Sequence, residues 1–165
     1  MARDYNRDME RVRALSDWCR ENGKGLYLLA NSGCLNFCPA HHFHDNLVAH
    51  EDEIARRDNA FAFEGLCRAR FRDPARLPEL YDRLNFIRPE EVCRYEGLAD
   101  GMKLATRVSR AAHPVSRAAS EILIAYTDGR FAGDLLSLLE PAHNVFPYVL
   151  ENGDPPRLIR VTDER

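Results

Sequence analysis

The sequence predicts an α/β fold with three or so short parallel strands and flanking helices. Three observations carry this expectation. The apolar runs 25–31, 84–87 and 101–106 are too brief for helices and suit strands covered on both faces. Between them lie longer stretches with apolar residues at helical spacing, opened by cap residues or by proline. Helix and strand alternate in order along the chain, which is the rhythm of parallel βα units.

Each element has its own reason. Residues 7–21 read as a helix because Met9, Val12, Leu15 and Cys19 fall near helical spacing, with Asn6 as a candidate N-cap and Gly23 and Gly25 beyond its end. The run GLYLLAN follows as the first strand and gives way abruptly to the turn-rich NSGCLNFCP. A helix is expected over 44–57, with Leu47, Val48 and Ile54 as its apolar side. Residues 59–72 read as irregular, with short extended pieces at FAF and LCRARF. Asp73–Pro74 caps and opens a helix running to about Arg83. LNFI is the second strand. Pro89 opens a helix whose first turn holds Glu90 and Glu91, where the helix dipole favours carboxylates. GMKLAT is the third strand. Pro114 opens a helix through Ile122 and Tyr126, stopped near Asp128–Gly129. Residues 131–140 read as helical and leucine-rich. The tail is polar and proline-containing, with RLIRV as a candidate last strand.

Three strands are too few to close a barrel of eight. Two arrangements stay open: an open sheet, or a partial (β/α) barrel completed by sequence upstream of Met1 or by another chain. The length of 165 residues suffices for one core. With 45% hydrophobic and 30% charged residues and a net charge of −3, the chain does not read as a general nucleic-acid binder. No apolar run approaches the roughly 20 residues that span a bilayer, so no membrane association is expected. The charged start MARDYNRDMERVR is not a secretory signal, and the cytoplasm is the default location. Five cysteines, an odd number, argue against a disulfide framework there.

Parallel α/β folds bind ligands at the carboxyl ends of their strands. A polar cluster follows each expected strand: Asn31, Cys34, Cys38, His41, His42, His44, Asn46 and His50 after the first, Arg88–Pro89–Glu90 after the second, Lys103 with Arg107 at the third. Close-spaced thiolates bind zinc or iron–sulfur clusters, because one loop then supplies two ligands. Cys34 and Cys38 form such a pair, and Cys67 is a candidate third ligand; a fourth is not evident. Lys103 stands in an apolar strand, where a charge needs a partner or an opening to solvent. Plainer readings stand beside these: buried thiols for Cys34 and Cys38, a structural role for Cys19 and Cys93, solvated loop histidines, helix-capping for Arg88 and Glu90, and a solvated helix face for Glu51–Glu53 with Arg56 and Arg57.

The segments LLANSGCLNFCPAHHFHDNLVAH, FIRPEEVCRYEGLADGMKLATR and AYTDGRFAGDLLSLL, preceded by YNRDMERVRAL, resemble in that order the carboxy-terminal half of the collagenase-like peptidase family U-thirty-two. The likeness covers about residues 5–140. It implies a β/α barrel that binds an iron–sulfur cluster through cysteines, with residues 1–145 as the carboxy-terminal half of the barrel domain and 146–165 as a polar tail. Relatives act in oxygen-independent hydroxylation of ubiquinone precursors and of tRNA or ribosomal RNA bases. Asn31, Cys34, Cys38 and Pro39 match the cysteine motif, His44 and His50 match histidines after it, Arg88, Pro89 and Glu90 match an arginine-proline-glutamate motif, and Lys103 and Arg107 match a lysine-leucine-alanine-glycine-arginine motif. His41 stands where relatives often carry arginine, and Thr106 where they carry glycine. No serine-histidine-aspartate set and no H-E-x-x-H helix marks a protease.

The resemblance implies Cys34, Cys38 and Cys67 as cluster ligands, with Asn31 beside the cofactor. Arg88, Lys103 and Arg107 suit a carboxylate or phosphate of a small-molecule or RNA substrate. His44 suits acid–base work or ligand orientation, and Glu90 joins that group. Two alternatives are a zinc-binding or non-catalytic half-barrel scaffold that needs a protein partner, and a metal-dependent peptidase.

Overall fold

The computed structural model describes residues 3–46, 73–105, 119–139, 148–154 and 156–160. The spacing of Met9, Val12, Leu15 and Cys19 is realised in helix α1, Met9–Glu21, which buries Val12, Ser16 and Cys19. Its N-cap is Asp8, whose carboxylate accepts from the Arg11 N–H at 3.1 Å, rather than Asn6. Asn6 is fully buried and engaged elsewhere: its Nδ2 donates to the carbonyls of Leu29 at 2.6 Å and Asn85 at 3.2 Å. A buried amide that bridges two carbonyls satisfies both and fixes their separation. Asn6 therefore ties the approach to α1 onto the centre of the fold.

Strand β1, Tyr27–Leu29, pairs in parallel with β2, Gly101–Lys103, with Tyr27 opposite Gly101 and Leu29 opposite Lys103. The Tyr27 ring lies on Gly101, and a Cβ there would stand 3.0 Å from the ring, so a larger residue would push the exposed ring aside by a few tenths of an ångström. Ala30 joins three segments. Its N–H donates to Lys103 O at 3.0 Å, and its carbonyl accepts from Ile87 N–H at 2.9 Å.

The run 84–87, expected as a strand, is extended chain without regular pairing. Leu84 makes an isolated antiparallel bridge with Leu35, the Asn85 N–H donates to Cys34 O at 2.9 Å, and the Asn36 N–H donates to Arg83 O at 2.6 Å. After Asn31 the chain doubles back along 83–85 and takes up hydrogen bonds that a neighbouring strand would otherwise make. Leu84, Phe86 and Ile87 are each at most 1% exposed, and Asn85 between them is 2% exposed. That unbroken burial puts the run at the centre of the core, with Val12, Leu28, Leu135, Leu136, Leu138 and Leu139 around it.

The helix expected from Pro89 forms as a tightly wound 3₁₀ segment, Pro89–Tyr95. The Glu91 carboxylate reaches back to the Arg88 N–H at 3.0 Å and closes its first turn. Before it lie a 3₁₀ segment, Pro74–Glu79, and the short helix Leu80–Arg83. Helix α2, Ala119–Asp128, buries Ile122, Ala125 and Tyr126 and stops at Gly129, whose φ of 63° is left-handed. Pro114, its expected opening, lies outside the described residues. Among the described residues of the expected helix 131–140, only a 3₁₀ turn forms, Leu135–Leu138, with the Asp134 carboxylate accepting from Leu136 N–H at 3.0 Å. Residues 135–139 are all buried, so their conformation follows the core around them rather than a one-sided helical stripe. Strands β3, Tyr148–Glu151, and β4, Arg157–Arg160, form an antiparallel hairpin, and Glu151 bridges to Asp134. Among the described residues no helix is long and apolar enough to cross a membrane.

Two buried phenols, Tyr95 and Tyr126, and the half-buried Tyr81 link stability to pH. The Tyr95 hydroxyl donates to Asn6 O at 2.8 Å and the Tyr126 hydroxyl to Ile87 O at 2.7 Å. Burial pushes Tyr81 and Tyr95 from 10.0 up to about 12, and pushes Tyr126 well upward. The folded state holds these protons after the unfolded chain has released them, so their contribution is complete below the unfolded value. It is lost as pH rises from 10.0 towards about 12. Thermal melts across that window should show a steep fall in stability, and Tyr95→Phe should flatten it. An equally steep fall in the variant would assign the loss to other groups.

Candidate functional site

The first cluster is built on a loop whose backbone is held at several points. Beyond β1 the chain enters Asn31–Cys34, all buried, and the Cys34 carbonyl is fixed by the Asn85 N–H. Phe37, between the two cysteines, has φ 50°, a left-handed backbone that an aromatic residue adopts only when its surroundings impose it. The surroundings come from the amino-terminal turn Arg3–Tyr5. The Asp4 carboxylate accepts from the Phe37 N–H at 2.8 Å, and the Tyr5 ring meets the Phe37 ring edge-on at 5.5 Å. Arg3 pairs with Asp45 further along. Asp4→Ala should cost about 1 kcal/mol of stability and speed hydrogen exchange at Phe37; exchange unchanged from the parent would show that Asp4 does not hold the loop.

Cys34 is buried at 9% exposure and Cys38 is half-buried, and neither is in a disulfide. A helical turn over 41–46 follows, with the His41 N–H donating to Cys38 O at 3.2 Å and the His44 N–H to Ala40 O at 2.9 Å. The His41 and His42 rings stack with centroids 5.3 Å apart. His41 Nε2 stands 3.1 Å from the Asp45 carboxylate but makes no hydrogen bond with it. His44 is half-buried and His42 exposed. His50, Cys67, Thr106 and Arg107 lie outside the described residues.

The second cluster sits where 84–87 runs into the 3₁₀ segment. The Arg88 Nη1 donates to Gly153 O at 3.0 Å and reaches Asn152 Oδ1 at 3.5 Å, and its guanidinium lies over the Tyr81 ring at 5.6 Å. Glu90 Oε1 accepts from the Phe131 N–H at 2.5 Å and from Asn152 Nδ2 at 2.9 Å. Glu91 holds the Tyr81 hydroxyl. Arg88 and Glu90 are therefore joined through one carboxamide, that of Asn152. Nothing in the reading of the clusters pointed to Asn152; the available signal was the Asn152–Gly153 pair, a turn dipeptide between two short apolar runs.

Asn31 is fully buried. Its Nδ2 donates to Ala105 O at 2.8 Å and Leu138 O at 3.1 Å, and its Oδ1 accepts from Ala105 N–H at 2.7 Å. Both amide hydrogens serve the backbone. Lys103 is exposed, and its carbonyl takes the Ala30 N–H. The charge that stood out in an apolar strand is thus solvated at the strand's last residue.

Hydrogen bonds at Ala30 and Asn31 bring the segments leading into Arg88 and out of Lys103 beside the end of β1. The cysteine loop turns the other way, antiparallel to 83–85, so Asn36 lies beside Arg83 rather than Arg88. An iron–sulfur cluster or zinc needs thiolates or imidazoles converging on one point. Cys34 and Cys38 supply two donors on one braced loop. Cys19 is buried in the core, and Cys93 is exposed with its thiol donating to Glu90 O at 3.4 Å. Among the described residues no three histidine, cysteine, aspartate or glutamate side chains gather as a metal site. A complete set would draw on residues beyond these, where Cys67 lies.

Comparison with known proteins gives a distant, partial likeness to a protease-named protein. Over 130 residues, 77% of this chain and 36% of the relative, the chain is 30% identical to a protein of Methanocaldococcus jannaschii named as an uncharacterized protease. The chain spans about a third of that relative's length. No family model matches the chain, and no solved structure matches it.

Proposed function

We propose that the chain is a portion of a peptidase U-thirty-two-like (β/α)-barrel protein in which the loop from Cys34 carries a metal centre. Cys34, Cys38 and Cys67 would hold an iron–sulfur cluster, which when bound supplies one-electron transfer. The observation that carries the reading is the bracing of the Cys34–Cys38 loop: two thiols bracket a left-handed Phe37 that the Asp4 carboxylate and the Tyr5 ring hold in place. Fixing a loop before metal arrives lowers the ordering cost of binding. The resemblance of the four segments and the likeness to a protease-named relative support the family.

In this reading the protein acts in oxygen-independent hydroxylation of a quinone precursor or an RNA base. Arg88, Lys103 and Arg107 bind a carboxylate or phosphate of the substrate, and His44 and Glu90 orient it or move its protons. A partner chain or a further part of the protein completes the barrel. Metal analysis after anaerobic loading with iron and sulfide tests the ligand set. Cys34→Ala, Cys38→Ala and Cys67→Ala should each lose most of the bound iron and sulfide while the circular dichroism spectrum is kept; full retention in all three would overturn the assignment.

Two further readings have particular support. The histidines beside Cys38 suit zinc in a non-catalytic scaffold, and zinc bound to the same cysteines without iron would favour that. The relative's name supports a peptidase, here taken as metal-dependent, and cleavage of gelatin that requires added metal would favour this reading.

A further inference from the structure

The turn of the β3–β4 hairpin occupies the Arg88–Glu90 cluster in the manner of a ligand. The Asn152 carboxamide donates to Glu90 Oε1 and accepts from Arg88 Nη1, while Gly153 O takes a second contact from the same guanidinium nitrogen. A carboxylate set beside a guanidinium presents an acceptor and a donor together, and an amide group presents the complement. The contact does not exhaust the cluster. Among the described residues, Glu90 Oε2 and Arg88 Nε are shielded from solvent and without a hydrogen-bond partner, with Arg88 Nε 3.9 Å from the Glu91 carboxylate. A buried polar atom without a partner is costly, and a ligand group that reached these two atoms would offset that cost. The hairpin is a separate two-stranded sheet with no ladder to β1 or β2, and Glu151 makes an isolated bridge to Asp134.

We infer that Arg88 and Glu90 form a binding site for an amide-bearing peptide, and that the β3–β4 hairpin is a displaceable internal occupant of it. The inference shares Arg88 and Glu90 with the substrate contacts proposed above and gives them a peptide amide as ligand; it uses none of the cysteines, so it and the metal centre can each fail alone. An incoming amide group replaces Asn152 between Glu90 and Arg88, and a longer ligand brings donors and acceptors to Glu90 Oε2 and Arg88 Nε. In the closed form an external ligand meets only the fraction of molecules whose hairpin has lifted, and its apparent affinity falls by that fraction.

The probe is a fluorescent peptide with the hairpin's own sequence, Leu-Glu-Asn-Gly-Asp, and a control peptide with alanine in place of the asparagine. Binding is read by anisotropy to the full chain and to its Asn152→Ala variant, whose internal occupant lacks the amide. The variant should bind the asparagine peptide about tenfold or more tighter than the parent, and the variant should bind the alanine peptide more weakly than the asparagine peptide. Equal binding by parent and variant, or no distinction between the peptides, overturns the inference. Should the variant not fold, the parent alone decides. Excess asparagine peptide should speed hydrogen exchange in β3 and β4 where the alanine peptide does not, and exchange unaffected by either peptide overturns the inference.

Discussion

Asn31→Ala should unfold the chain more readily than its size suggests, with a loss of about 2–4 kcal/mol. The side chain makes three buried hydrogen bonds, one with Ala105 N–H, one with Ala105 O and one with Leu138 O. Alanine leaves all three backbone groups without a partner in a place that water does not reach. Asn31→Asp separates the parts of the effect. A carboxylate still accepts from Ala105 N–H, but it cannot donate to the two carbonyls and instead repels them. Its loss should therefore be at least as large at neutral pH and should shrink in acid, where the protonated carboxyl regains a donor. Urea titrations of both variants at two pH values measure this. If Asn31→Ala proves nearly neutral, the amide is not the clamp between β1, β2 and the Leu135–Leu138 turn that its contacts describe.

Phe86→Ala should be as damaging or more so, with a loss of about 3–5 kcal/mol. Phe86 is fully buried, at 0% exposure, and its chain neighbours Leu84 and Ile87 are as well covered. The same substitution at Phe37, which is 62% exposed, should cost far less. Chemical denaturation of the pair measures the contrast, and comparable losses would place the core elsewhere.

The parts of the molecule that were legible in the sequence are those set by local periodicity. Helix α1 lies where Met9, Val12, Leu15 and Cys19 put it, β1 lies within its apolar run, and Gly129 ends α2. What was illegible depends on long-range contacts. Asn6 looks like a helix cap because its neighbours are polar, yet it is drawn into the core by carbonyls 23 and 79 residues away. Residues 84–87 have the composition of a strand, but their backbone hydrogen bonds are divided among the returning chain at Cys34, the Asn6 amide and Ala30. Lys103 looked out of place only while its strand was assumed to be buried along its full length. In the clusters, spacing revealed the two cysteines but not the Asp4 and Tyr5 contacts that brace the loop between them. The Arg88–Glu90 pair was visible as a motif, whereas its partner Asn152 is more than 60 residues distant.

The proposed iron–sulfur centre on the braced loop from Cys34 to Cys38 is open to direct test. The most direct measurement is the absorbance and iron and sulfide content of the full chain purified without oxygen, beside its Cys38→Ala variant. The expected result is broad absorbance towards the blue end of the visible range, with iron and acid-labile sulfide in matching amounts, all lost in the variant. A colourless parent without iron or sulfide after anaerobic reconstitution would contradict it.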